Sequence, residues 1–94
     1  MIIIYYQMNP SICIPKVDRN INKKFIYSIF DKYNFGKLKK IDMVRMDKGY
    51  KVFIHFEYWY DNTNSLKVRE ILKSGLDFKI MYMEPWYWKC INVY

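Results

Sequence analysis

Segments with a strand-like spacing of apolar residues and segments with a helix-like spacing follow one another along this chain. Their order constrains the fold more than any other feature of the sequence. Alternating apolar and polar residues face opposite sides of a strand, whereas a spacing of three or four residues lines one side of a helix. Four segments alternate, residues 11–17, 37–44, 50–56 and 76–83, and two have the helical spacing, residues 18–36 and 63–74. The chain therefore predicts a strand, a helix, two strands, a second helix and a last strand.

This order matches the split strand-helix-strand arrangement of the ferredoxin-like folds. We expect an α+β, ferredoxin-like βαββαβ sandwich, with a four-stranded antiparallel sheet and two helices on one face. Asp18 or Asn20 is available to cap the first helix, and Gly36 is placed to end it. The sequence MDKG at 46–49 predicts a hairpin turn between the second and third strands.

The third predicted strand separates a core side from an exposed side. Its inward residues are Val52, Ile54 and Phe56, and its outward residues are Lys51, Phe53 and His55. In the last predicted strand the outward residues include Lys79 and Met81. The two helices leave this outward side of the sheet open to solvent.

The length of 94 residues predicts one domain with an extension at each end. Residues 1–10 read as an arm or an edge strand, residues 11–83 as the domain, and residues 84–94 as an aromatic extension. The opening MIIIYYQM is too short for a membrane span and lacks the features of a signal peptide. We expect an intracellular protein with no membrane contact.

A formal charge of +7 predicts affinity for polyanions. The basic excess is concentrated in residues 1–47, with nine basic and four acidic residues, against seven and five in residues 48–94. The alternative is a solvated lysine surface without a partner.

The reactive residue types are too few to build a usual metal or catalytic site. Two cysteines and one histidine do not supply the ligands of a zinc site, and they indicate no disulfide framework. Cys13 is more easily explained as a small apolar filler than as a nucleophile. We therefore expect no enzyme, no metal and no cofactor.

Two segments carry a resemblance to a known family. GYKVFIHF, residues 49–56, is similar to the longer signature of the RNA-recognition-motif (RRM) family, and ICIPKV, residues 12–17, is similar to its shorter signature. The resemblance covers about residues 11–83. It implies single-stranded RNA or DNA bound on the sheet by aromatic stacking and by basic side chains.

The resemblance also implies which positions would carry binding. Lys51 and Phe53 occupy the family's two outward aromatic positions on the third strand, and Cys13 occupies the one on the first strand, so one stacking ring of three remains. Weak sequence specificity is expected. The candidate nucleic-acid-binding residues are Lys40, Lys51, Phe53, His55, Lys79, Met81, Trp86 and Trp88.

More narrowly, the combination of SICIPKV, GKLKKIDMV, VFIHF and EPWYWK resembles short RRM-like proteins of giant DNA viruses. This implies host cytoplasm or virion as the location. It also leaves a second functional hypothesis open, a viral protein-interaction or virion-structural adaptor that keeps the scaffold, as a homodimer or with another viral protein.

The sequence EPWYWKC, residues 84–90, allows three interpretations of the aromatic extension. Pro85 predicts that the chain leaves the sheet edge and folds back. Trp86 or Trp88 would then cover Phe53 and Met81 as a lid, or the extension would bury itself against the N-terminal arm of a second copy. The third interpretation is a ligand platform of Trp86, Tyr87 and Trp88, with Lys89 holding phosphate.

Overall fold

The computed structural model describes residues 10–93, so the predicted N-terminal arm lies almost wholly outside the described residues. The described part contains two helices and five strands. They are β1 (Ile12–Val17), α1 (Lys23–Tyr33), β2 (Gly36–Met46), β3 (Gly49–Trp59), α2 (Thr63–Lys73), β4 (Phe78–Met83) and β5 (Trp86–Asn92).

The strands form an antiparallel sheet in the order β2-β3-β1-β5-β4. The chain is therefore α+β, and its arrangement is compatible with a ferredoxin-like fold. The expectation of four strands is wrong, because the C-terminal segment adds a fifth.

Strand β5 also corrects the expectation that the chain leaves the sheet after Pro85. Pro85 lies in the turn between β4 and β5, where its missing N–H interrupts no strand pairing. The chain then runs back between β4 and β1, with Ile80 opposite Trp88 and Cys13 opposite Ile91. The proline ends β4 but does not end the sheet.

Asparagine side chains cap both helices. The Phe25 amide donates a hydrogen bond of 2.8 Å to Oδ1 of Asn22, and Asn34 ends α1 in the left-handed conformation with φ 58°. The expected caps were wrong because α1 begins at Lys23, five residues beyond Asp18. Gly36 lies three residues beyond Tyr33, the last residue of α1, and begins β2.

A single apolar core lies between the sheet and the two helices. Its strand residues include Ile14, Ile41, Ile54, Ile80 and Cys90, and its helix residues include Ile26, Phe30, Val68 and Leu72. The inward set Val52, Ile54 and Phe56 is confirmed, since all three are buried. Trp59 is buried as well: it is 6% exposed, with its ring centroid 4.2 Å from that of Phe56.

An irregularity in β1 shapes one end of the sheet. The pairing of β1 with β3 shifts register between Ile14 and Val17, and its registered pairs with β5 are Ile12 with Asn92 and Cys13 with Ile91. Pro15 lies two residues beyond Cys13 and has no N–H to donate to a neighbouring strand. The registered pairing of β1 with β5 therefore ends at Cys13.

Candidate nucleic-acid interface

The side of the sheet opposite the helices, here called the outer face, carries the residues that alternate with the core residues. Strand alternation assigns to it, from β2 to β4, Lys40, Asp42, Lys51, Phe53, His55, Cys13, Lys89, Ile91, Tyr87, Lys79 and Met81. Six of the eight predicted binding residues lie here: Lys40, Lys51, Phe53, His55, Lys79 and Met81.

Phe53 is a partly exposed ring in the middle of this face. Its strand neighbours across the sheet are Asp42 on β2 and Cys13 on β1. Nζ of Lys51 lies 5.8 Å from the centroid of the Phe53 ring, within the range of a cation–π contact. The pair offers an apolar ring and a positive charge side by side.

A second pair of an aromatic ring and a lysine lies on the same outer face, towards the opposite edge of the sheet. Nζ of Lys79 on β4 lies 4.7 Å from the ring centroid of Tyr87 on β5, and Tyr87 is 49% exposed. Phe53 is level with Ile91 on β5, two strands away, and Tyr87 lies four residues before Ile91. Ordinary strand spacings then place Phe53 and Tyr87 roughly 16 Å apart. The two rings therefore do not form one aromatic surface.

Lysines lie between these two rings. Phe53 on β3 and Ile91 on β5 both lie opposite Cys13. Lys51 is two residues before Phe53, and Lys89 is two residues before Ile91. The two lysines therefore lie level with each other. Lys79 is paired with Lys89. All three are exposed, and Lys89 is 3.4 Å from Asp77. This lysine row, Lys51, Lys89 and Lys79, crosses the sheet between Phe53 and Tyr87.

A polar network holds His55 beside Phe53. Its Nδ1 is 2.9 Å from the Ser11 hydroxyl and its Nε2 is 3.0 Å from Oδ2 of Asp42, which also lies 3.7 Å from Nζ of Lys40. A neutral ring with its proton on Nε2 satisfies both contacts, donating to the carboxylate and accepting from the hydroxyl. His55, predicted as an outward strand residue, is therefore fixed by two side-chain contacts that the sequence did not indicate.

The same three residue types form hydrolase triads, but the contacts here are exchanged. In a triad the hydroxyl meets Nε2 and the carboxylate meets Nδ1, and further donors stabilise the oxyanion. In this protein Ser11 meets Nδ1 and Asp42 meets Nε2. We interpret the network as positioning His55 and as keeping a carboxylate next to Phe53.

Cys13 fills the centre of the outer face and is 3% exposed. Burial raises the pKa of its thiol, an effect that the positive charge of Lys51 partly opposes. The thiol is therefore neutral near pH 7, as expected for a small apolar filler between Phe53 and Ile91.

The two terminal tryptophans are separated by the alternation of β5. Trp88 is 2% exposed on the helix side, whereas Trp86 is 62% exposed at the start of the strand. Neither covers Phe53, so the lid interpretation is wrong; pairing with β1 and β4 holds the segment in the plane of the sheet. The ligand-platform interpretation still applies to Tyr87 and Lys89, which lie on the outer face. It does not apply to Trp88, which is buried in the core.

The two observed ring-and-lysine pairs extend what the sequence indicated. The alternation in WYWKC was available as a strand signal and would have put Tyr87 and Lys89 on the outer face. The roles of Ser11 and Asp42 depend on strand pairing across β1, β3 and β2, which has no local sequence signal.

Residues 10–93 contain no cluster of three or more histidine, cysteine, aspartate or glutamate side chains suited to a metal ion. Neither helix of the described chain has the length and apolar character needed to cross a bilayer. Comparisons with protein-family models, curated proteins and solved structures find no match. The resemblance to the RRM family therefore stays a prediction.

Proposed function

We propose that this protein is a noncatalytic module that binds single-stranded nucleic acid, preferably RNA, on its outer face. The observation that carries the proposal is the pair of ring-and-lysine contacts, Lys51 with Phe53 and Lys79 with Tyr87. Bases stack on exposed aromatic rings, and ammonium groups hold the adjoining phosphates. Both groups are present twice on one surface.

The arrangement of charge supports this assignment. The lysine row runs between the two rings, so a strand that stacks on both would carry its phosphates past Lys51, Lys89 and Lys79. The negative charge of Asp42 next to Phe53 is offset by Lys40 at 3.7 Å. Phosphate binding by these side chains predicts affinity that falls with salt and depends little on sequence.

The topology supports a fold of the RRM kind. Strand β3 lies between β1 and β2, which is the split strand-helix-strand arrangement predicted from the sequence. In the second half, β1 lies between β3 and β5. We infer a variant in which β5, rather than β4, flanks the first strand. Fold alone does not determine function, so the side chains of the outer face carry the argument.

The test is a polarisation titration with a mixed-sequence, single-stranded RNA of about 12 nucleotides, within the range of known single-strand sites. Phe53→Ala should weaken binding about 5- to 100-fold, the range expected for loss of one stacked base. Tyr27→Ala, an exposed tyrosine on α1, is the matched control and should leave affinity unchanged.

Two results would oppose the proposal. The first is wild-type affinity weaker than about 100 μM at physiological salt, the weak end of ordinary nonspecific binding. The second is equal affinity of the wild type and of Phe53→Ala. Replacing the RNA with DNA of the same sequence measures the expected preference for RNA.

Exposed apolar residues at the two ends of β4 favour a second candidate, a protein-interaction adaptor. Met83 is 60% exposed, Trp86 is 62% exposed, and Leu76 before β4 is 63% exposed. Light scattering tests its homodimer form: Trp86→Ser should convert a dimer into a monomer, whereas a wild-type monomer at high concentration excludes that form.

A further inference from the structure

Two adjoining hollows meet where β1 is irregular. One, of about 860 Å³, is lined by Pro15 and Lys16 together with Arg45 and Lys48 from the β2–β3 hairpin. The other, of about 440 Å³, is lined by the same Pro15 and Lys16 together with Trp86, Tyr87 and Lys89 from β5. The two hollows share Pro15 and Lys16 in their linings and are here together called the bulge groove.

The bulge groove follows from the local chemistry of β1. Because Pro15 has no N–H to donate, the registered pairing of β1 with β5 ends at Cys13. The register shift between Ile14 and Val17 adds room on the β3 side.

The lining of the bulge groove has one basic part and one aromatic part. Its charged side chains are four basic residues, Lys16, Arg45, Lys48 and Lys89, and one acidic residue, Asp47. Arg19 adds a further positive charge, since it donates a hydrogen bond of 3.1 Å to the Asp47 carbonyl. An exposed indole and an exposed phenol, Trp86 and Tyr87, adjoin this basic lining.

This combination fits a ligand that has both planar rings and repeated negative charges. The volume of the aromatic part lies within the range of pockets that hold small molecules, about 300–1,000 Å³. An acidic peptide would satisfy the cations but would leave the two rings without a stacking partner. A nucleotide chain satisfies both.

We propose that the bulge groove is a second binding segment for the same single strand, taking the nucleotides that run beyond Tyr87. A base stacks on Trp86, and the following phosphates lie against Lys16, Arg45 and Lys48. This inference rests on the proposed function, because Tyr87 lines the groove and also belongs to the outer face.

The experiment compares four proteins with the RNA of about 12 nucleotides over a range of salt concentrations. They are the wild type, Trp86→Ala, the double variant Lys16→Gln/Lys48→Gln, and the control Lys67→Gln/Lys73→Gln, which removes two exposed charges from α2. Thermal unfolding establishes that each is folded.

Trp86→Ala should weaken binding about 5- to 100-fold, and Trp86→Phe should restore most of the loss by keeping a stacking ring. Lys16→Gln/Lys48→Gln should reduce the slope of log K against log salt by about 1.4, since each phosphate contact with a single strand contributes about 0.7. The α2 control should keep the wild-type slope.

Different results would contradict the proposed function and the inference about the bulge groove. If the wild type binds no RNA, the proposed function and this inference both fall. If the wild type binds and Phe53→Ala weakens it, while the groove variants match the wild type, the inference alone is overturned. Competition by polyglutamate as strong as that by RNA of equal charge would also overturn it, because it would assign the groove to acidic peptides.

Discussion

The rings of Tyr82 and Trp88 are stacked, with centroids 4.4 Å apart and an interplanar angle of 19°. Phe25 of α1 meets both rings edge-on, each at 6.3 Å. Trp88 therefore connects the C-terminal strand with the helical layer.

Because of this stack, Trp88→Ala should lower the free energy of unfolding by about 3–5 kcal/mol, the range for a buried large-to-small substitution. Urea unfolding measures it. Trp88→Phe should lose less, since it keeps a ring and removes an indole Nε1 that has no hydrogen-bond partner in the described structure. Equal losses in the two variants would contradict the assigned packing.

Ending the chain at Glu84 should abolish cooperative unfolding. The truncation removes β5, which lies between β4 and β1 in the sheet. It also removes Trp88 and Cys90 from the core, and it removes the hydrogen bond of 3.1 Å that the Asn92 side chain donates to the Leu72 carbonyl. The expected result is a loss of the melting transition by circular dichroism. A truncated chain that melts like the full chain would show that this segment is dispensable.

Asp42→Asn should strengthen RNA binding about 2- to 5-fold at low salt, because it removes a negative charge beside Phe53. The amide oxygen can still accept the hydrogen bond from Nε2 of His55. Asp31→Asn, which removes the same charge from α1, is the control. Equal gains in both variants would assign the effect to net charge rather than to the outer face.

The buried thiol of Cys90 predicts a loss of stability at alkaline pH. Burial raises the pKa of this thiol in the folded state, so the group stabilises the fold below its unfolded pKa. That contribution is lost as the pH rises above about 8.5–9, because the unfolded thiol then ionises.

Urea unfolding in reductant between about pH 8 and about pH 10.5 measures this loss. Cys90→Ala should be less stable at the lower pH and should lose less over the interval. Burial also raises the pKa values of Cys13 and Tyr82, so some pH dependence should remain. A variant that loses as much as the wild type would contradict the prediction.

The sequence predicted the first four strands and both helices because each carries a local apolar spacing. It missed β5 because Pro85 was interpreted as the end of the sheet, whereas the residues beyond it alternate and pair with β1. The asparagine caps were missed since Asp18 and Asn20 offer equivalent side chains nearby, and the true start depends on how α1 packs.

The candidate site was predictable in part for the same reason. Alternation in β3 and β4 assigned Phe53, Lys51, Lys79 and Met81 to one surface. The contacts of His55 with Ser11 and Asp42, and the groove beside Pro15, depend on the registers among β2, β3, β1 and β5. Those registers join residues distant in sequence, and no local pattern encodes them.

Mapping the RNA contact surface by two-dimensional NMR tests the central claim most directly. On addition of single-stranded RNA of about 12 nucleotides, the largest shifts should fall at Phe53, Tyr87 and Lys89 on the outer face. Tyr27 and Lys67 on the helices should stay unchanged. Shifts centred on the helices, or no shifts at all at about 100 μM RNA, would contradict the account.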